Sequence, residues 1–269
     1  MNDRPQRNGD TEDPMRGRPD RKPVIAQMLA HRSIRKYTTR MPSDRTIKTI
    51  VRAGQQAAFA AQLYSVILTK DRAKHPFQAP LLFTVCVDFH KMGQIMKRRG
   101  WKWVSNDLYG LLLGIQDAAC MAQNMVLAAE SLGLGTCFLG HTPFAADQLA
   151  KEFKLPQRVF PLVQVAMGYP AEKPPARPRY PMDFVLFEKR YPRIAGAQLR
   201  RAMKTMDDGY LAQGYYRNVK LMLPLVTGQK ETFDFDTYSW TEHISRKWGQ
   251  WEKSPKRLRD LMGRRGLKV

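Results

Sequence analysis

Three cysteines in 269 residues, none of them in a C-x-x-C pair, give no disulfide framework or zinc knuckle to build on. Cys86, Cys120 and Cys137 read as small core residues in a reducing, cytoplasmic setting. Long apolar runs are missing too: PLLFTVCV and MVLAA fall well short of the roughly 20 residues a membrane span needs. The N-terminus has no charged-then-apolar leader pattern, so secretion is not expected. GxSxG, HExxH, Walker A and GxGxxG are all absent. SLGLGTCFLG does not count as the last of these, because it runs from helix to strand and the dinucleotide fingerprint runs from strand to helix. The five histidines share no ligand spacing, so no metal site is expected, and no carboxylate pair stands out. No side chain is therefore assigned a catalytic role, and the hard chemistry of any enzyme built here belongs to a cofactor.

Acids are scarce: 24 Asp and Glu stand against 45 Lys and Arg, a net charge of +21. Such an excess draws in anionic partners, and nucleic acid has to be weighed. The excess is uneven. Residues 1–23 nearly balance, residues 246–268 carry nine Lys/Arg against two acids, and KRRGWK at 97–102 forms a smaller cluster. No nucleic-acid reader motif appears, and aromatics do not alternate with cations as a stacking platform would require. A nucleic-acid-associated role is the least favoured alternative.

What is present is a globular composition, 43% hydrophobic and 26% charged. Residues 1–23 are polar, rich in Pro and Gly, and read as a disordered tail. From residue 24 the pattern alternates between helix and strand. VIAQMLAH reads as a short helix, and Ser43 is placed to cap a helix over 44–55. Strands are expected at 63–69, 81–89, 136–140, 159–169 and 184–187, and a helix in PFAADQLAKEF. The stretch 108–132 has no Pro and is apolar on nearly every side, which predicts a fully buried helix at a core or subunit interface, ended by Gly133 and Gly135. PAEKPPARPRYP must be extended. The division expected is a domain over 24–192 and a helical, basic extension over 193–269.

Two segments carry recognisable chemistry. HRSIR sets His31, Arg32, Ser33 and Arg35 around one turn; guanidinium forks bind phosphate bidentately, and Ser adds a neutral donor. A solvated basic helix end is the bland reading of the same pattern. Far downstream, Arg177 and Arg179 alternate in a Pro-stiffened stretch, where residues two apart on an extended chain would form a second fork; a plain surface linker is the competing reading.

HRSIRKYT, QDAACMAQNMVLAAESLGLGTCFLG, KLPQRVFPLVQVAMGYPAEKP and RPRYP, in that order, resemble the nitroreductase family of flavoproteins, and most closely its oxygen-insensitive, NADPH-using nitro/flavin reductase branch. YSWTEHISR (238–246) is similar to that branch's C-terminal motif. The resemblance implies an α+β, three-layer fold with a central mixed sheet. It implies a homodimer with one FMN in each of two interface sites, and 108–132 as the dimer-core helix. His31, Arg32, Ser33 and Arg35 would hold the FMN phosphate, and Arg177 and Arg179 would close on it. Leu139 and Gly140 would run under the flavin ring, the Gly140 N–H near flavin N5, and Gln62 would reach the pyrimidine edge from the strand that leads there. NADPH or NADH would give a hydride to N5 and leave, and a small acceptor (nitroaromatic, quinone or flavin) would then take it, in a ping-pong cycle that asks for no protein acid or base.

Two departures from the family pattern bear on this. AAFAAQ lacks the small hydroxyl residues expected before Gln62, and only DRAKHPFQAP joins the strands at 63–69 and 81–89, where a longer acceptor-contacting loop is expected. Gln78 is a candidate substitute for the loop's polar residue, and Trp101 or Trp103 would cover the ring; a surface loop with packed Trp is the favoured, bland reading of 97–103. A flavin-binding or specialised member with little nitroreductase turnover is the alternative these departures motivate.

Overall fold

The computed structural model describes residues 22–104, 106–226, 228–250 and 255–269. Most of the tail expected over 1–23 lies outside the described residues; Pro23 itself opens a helix. The chain divides into two compact units, Met1–Lys173 and Pro174–Val269. The boundary expected at 192/193 falls inside the second.

The first unit runs α1 (Pro23–Leu29), α2 (Asp44–Gln55), β1 (Tyr64–Thr69), β2 (Leu81–Asp88), α3 (Phe89–Arg98), α4 (Asp107–Ser131), β3 (Gly135–Leu139), α5 (Ala146–Glu152) and β4 (Val159–Gly168). The strands lie in the order β1-β2-β4-β3, and every pairing is antiparallel. The sheet is thus not the mixed sheet expected. Its parallel component is a single bridge between Ser33 and Thr136, because the 31–38 segment is too irregular to add a full strand to the β3 edge. The α+β class stands. Every residue of β2 is buried, as a central strand covered on both faces requires. On one face, Phe83, Val85, Val165 and Met167 pack with Ile47 and Ile50 of α2 and with Met121, Met125 and Val126 of α4. On the other, Leu82, Cys137 and Ala166 pack with Ile34 and Tyr37.

Local chemistry explains the boundaries. Ser43 Oγ accepts from the Thr46 N–H and starts α2, as expected. Asn106 caps α4 by accepting from the Leu108 and Tyr109 amides. At its other end Leu134 N–H donates to Ala129 O and Gly133 N–H to Glu130 O, the double bond pattern of a Schellman stop; it needs a left-handed residue, and Gly133 sits at φ +79°. In the single chain α4 is buried on one side only. Leu108, Tyr109, Leu112 and Cys120 are exposed, so neither the helix nor Cys120 is fully buried as expected. By length and composition α4 could cross a membrane, but the face it turns to the sheet is where the core sits.

α3 is not anticipated in the sequence. Asp88 ends β2 and at once caps α3, accepting from Lys91 N–H. The shortened 70–80 connection folds into two 3-10 turns around buried His75, whose Nδ1 faces Ala79 O at 2.8 Å and whose Nε2 faces Thr69 Oγ1 at 2.8 Å. A carbonyl can only accept, so Nδ1 carries a proton.

The second unit is helical: α6 (Gly196–Ala212), α7 (Tyr215–Asn218), α8 (Trp240–Gly249) and α9 (Pro255–Arg264). The strand expected at 184–187 does not form. Met182–Phe184 is a 3-10 turn, and Val185 and Leu186 are exposed with no strand to pair with among the described residues. The unit's centre is aromatic: Tyr216 stacks on His243 at 4.8 Å and meets Tyr238 edge-on at 5.3 Å. Arg246, 4% exposed, donates to both carboxylate oxygens of Glu231, to Glu242 and to Leu223 O. The first cation of the C-terminal basic run is therefore a structural ion pair, not a surface charge.

Candidate functional site

The 31–38 segment leaves α1 and runs beside the start of β3 and the end of β4. Ile34 N–H donates to Thr136 O at 2.8 Å, Thr38 N–H to Tyr169 O at 2.9 Å, and Ala171 N–H to Lys36 O at 2.8 Å. Tyr37 is buried and its hydroxyl donates to Ile34 O at 2.6 Å. Burial, reinforced by nearby Cys137, pushes the Tyr37 hydroxyl well above the ordinary tyrosine range, so it stays a proton donor; burial likewise raises the Cys137 thiol. The segment lies close to β3 because position 135 has no side chain. A Cβ on Gly135 would stand 2.5 Å from Ile34 Cγ1 and 2.7 Å from Ile34 Cβ. The two glycines of LGLG thus do different jobs: Gly133 stops α4, and Gly135 admits the basic turn.

Acids hold that turn from two sides. His31 Nδ1 lies 2.7 Å from Glu130 Oε1, which also accepts from Thr136 Oγ1 at 2.9 Å. Glu172, just past β4, accepts from the Arg35 N–H and, at 3.0 Å, from the Lys36 N–H. A cleft of about 380 Å³ opens here, lined by Arg32, Ile34, Glu130, Gly135, Glu172 and Lys173 among others. A larger one, about 720 Å³, lies among β1, the 70–80 connection and α5. Both clefts hold acids as well as cations: Lys74 is paired with Asp71 at 2.9 Å in the larger, and Arg32 and Lys173 line the smaller together with Glu130 and Glu172.

The other expected site residues are placed as follows. Leu139 ends β3, half-buried against the Ile34–Tyr37 cluster, and Gly140 follows it, exposed and with open space where a Cβ would stand. Gln62 is not on a strand. It sits two residues ahead of β1, exposed, at φ +52°. Its loop is gripped by Asp117 of α4, 1% exposed, whose carboxylate accepts from the Ala60, Ala61 and Leu63 amides at 2.6, 3.1 and 3.0 Å. A buried carboxylate that collects three backbone donors compensates its own desolvation and fixes the loop without hydroxyl side chains.

Ser33 and Gln62 lie far apart in one chain. Gln62 precedes Tyr64, which pairs with Val87 and through it aligns with Phe160; Ser33 bridges Thr136, which pairs with Met167. Those two β4 residues are separated by roughly 20 Å along the strand.

In the second unit the expected arginine fork is absent. Arg177 NH1 donates to Gln213 Oε1 at 2.7 Å, and its guanidinium lies 3.9 Å above the Tyr215 ring centroid. Arg179 is exposed and donates to the Arg177 and Pro178 carbonyls. A proline-rich chain turns with a period near three residues, so positions two apart do not share a face. Trp103 stacks on Phe89 at 5.1 Å under Arg158, whose guanidinium pairs with Asp107; Trp101 is 71% exposed.

Glu130, Glu172 and Asp117 are the residues sequence reasoning missed. Each is an acid within or beside an apolar stretch of a very basic chain, and that is the signal that could have found them.

Comparison with known proteins gives a consistent picture. The sequence model of the Nitroreductase family matches residues 67–169. The oxygen-insensitive NADPH nitroreductase of Salmonella typhimurium is 32% identical over 206 residues, covering 71% of this chain and 84% of that protein. An FMN reductase (NADPH) of Bacillus subtilis is 31% identical over 211 residues, covering 72% and 83%. A solved nitroreductase structure from B. subtilis superposes with a TM-score of 0.74 at 27% identity, over 90% of this chain and 98% of that one.

Proposed function

The chain belongs to the nitroreductase family, and from that premise we propose that it is a cytoplasmic, homodimeric FMN-dependent oxidoreductase that carries reducing equivalents from NADPH or NADH to a small acceptor. Nitroaromatics, quinones and free flavin are the acceptor classes. The observation that carries the reading is the basic turn 31–35, seated against β3 beside a cleft lined by Arg32 and Lys173 together with Glu130 and Glu172. Imidazole, guanidinium and hydroxyl groups gathered at one turn are the donor set a phosphomonoester needs, so the residues present fit the FMN phosphate.

FMN, when bound, supplies the two-electron redox chemistry. The residues of this chain bind and orient. His31, Arg32, Ser33 and Arg35 would take the phosphate, with Arg179 as the more available cation of its segment. Leu139 and Gly140 would lie along the ring, where the open space at Gly140 leaves its backbone approachable. Gln62, its loop fixed by Asp117, would present a polar side chain to the ring edge.

Exposed apolar surface supports a dimer. The exposed Leu108, Tyr109 and Leu112 of α4 and Val24, Ile25, Met28 and Leu29 of α1 supply apolar surface for the second copy to cover.

Purified protein should be yellow, with absorbance near 450 nm, and that band should bleach rapidly when NADPH is added without oxygen. A colourless protein that cannot be loaded with FMN would refute the assignment. A yellow protein that NADPH fails to bleach would instead support the flavin-binding alternative, which the short 70–80 connection favours.

A further inference from the structure

Glu130 stands at an unfavourable place. It lies in the last turn of α4, where the helix dipole is negative, and its side chain is 12% exposed. One oxygen, Oε1, nonetheless joins three elements. It faces His31 Nδ1 at 2.7 Å and accepts from Thr136 Oγ1 at 2.9 Å. Thr136 is itself fully buried and is the residue on which Ser33 bridges. The carboxylate also lines the cleft beside the basic turn.

Facing a carboxylate oxygen, Nδ1 must carry a proton. The ring is then fixed in plane and direction, and its other nitrogen, Nε2, turns away from Glu130. A negative charge beside an anion site is in itself unfavourable to the anion. Its benefit can come only through what it holds.

Resting on the proposed phosphate-binding role of the turn, we infer that Glu130 is a positioning residue for phosphate recognition. By accepting from Nδ1–H it holds the direction of the His31 ring and balances a doubly protonated imidazolium, whose Nε2–H is then the donor that meets the phosphate. Glu130 does not touch the ligand. The signature follows from charge. With His31 in place, loss of the Glu130 charge weakens binding; without His31, the same loss leaves binding unchanged or tightens it, because only the repulsion is removed.

The experiment is FMN titration by fluorescence quenching on the full chain, for the parent, Glu130→Gln, His31→Gln and the double variant. Glu130→Gln should bind FMN about fivefold to twentyfold more weakly than the parent, the range of a charge-assisted hydrogen bond lost through one intermediary. The double variant should bind no more weakly than His31→Gln alone. Equal weakening by Glu130→Gln in both backgrounds would mean a purely structural role and would overturn the inference. Should Glu130→Gln not fold, nitrogen NMR of the histidine-labelled, FMN-loaded parent decides it: His31 must be protonated at both Nδ1 and Nε2, and a bare nitrogen at either position refutes the proposal. A parent that binds no FMN at all refutes the functional assignment itself, a separate outcome.

Discussion

The two arginine-bearing segments singled out in the sequence are held by different partners. In the 31–36 turn, acids grip an imidazole and two backbone amides, and a cleft lies alongside. In the 174–180 segment, Arg177 is already consumed: a glutamine takes one N–H and a tyrosine ring covers its plane. Arg246, deeper in the same unit, goes further and is wholly enclosed by Glu231, Glu242 and a carbonyl. A guanidinium's function is therefore set by what has already taken its five donors, which a motif does not state.

The comparison can be broken most forcefully at its structural extreme. Arg246→Ala should destabilise the second unit by about 3 kcal/mol, the cost of breaking a buried ion cluster, tempered here because both carboxylates keep some exposure. Denaturant unfolding would read it, and a loss under about 1 kcal/mol would show that Arg246 is replaceable packing. The counterpart in the first unit is Gly135→Ala. Its Cβ would overlap Ile34 at both Cβ and Cγ1, and no rotamer of Ile34 moves its own Cβ. The basic turn must lift from β3, at about 1–3 kcal/mol and with at least a tenfold loss of FMN affinity. A variant that keeps the parent's affinity would show that the turn's seat on β3 is irrelevant to the site.

Arg177→Lys is the finer probe. It preserves charge but loses the planar stack on Tyr215 and the directed bond to Gln213, a cost of about 1 kcal/mol in stability. If Arg177 is a structural pin, FMN affinity should stay within about threefold of the parent while Arg179→Ala weakens it more. The reverse order would return Arg177 to the phosphate.

Much of the fold was legible because it depends on local signals. The Ser43 cap, the β-branched strands and the glycine stop of α4 are each written within a few residues. The misses share a different cause. The FVLF segment has strand composition but no partner edge, and pairing is a property of distant chain. The sheet's sense depended on how many residues of 31–38 could bond to β3, and that number proved to be one bridge. The proposed site was legible as cations, since HRSIR stands out in the sequence. The acids that hold it were not: Glu130 is 99 residues from its imidazole and Glu172 is 137 from the amide it caps, separations no local pattern reports.

The smallest effect concerns pH in the second unit. Burial holds the His243 imidazole below its ordinary range, with Lys247 one turn on adding to the shift. Its Nδ1 lies 3.1 Å from Tyr238 Oη and its ring stacks on Tyr216. The folded state thus binds a proton less readily than the unfolded chain. Its contribution is complete above the unfolded imidazole pKa, near 6.5, and is lost as pH falls through the lower folded value. Glu231 follows the carboxylate case. Arg246 holds it down to about 2, so its contribution is complete above its ordinary 4.5 and is lost as pH falls through about 2. Acidification should therefore destabilise the second unit in two steps. The first, opening below about pH 6.5, should lower Tm by a few degrees at most. His243→Gln should remove that first loss and leave the second untouched. A variant whose Tm falls with pH as the parent's does would mean that another group titrates in this window and that the aromatic centre of the second unit is indifferent to His243.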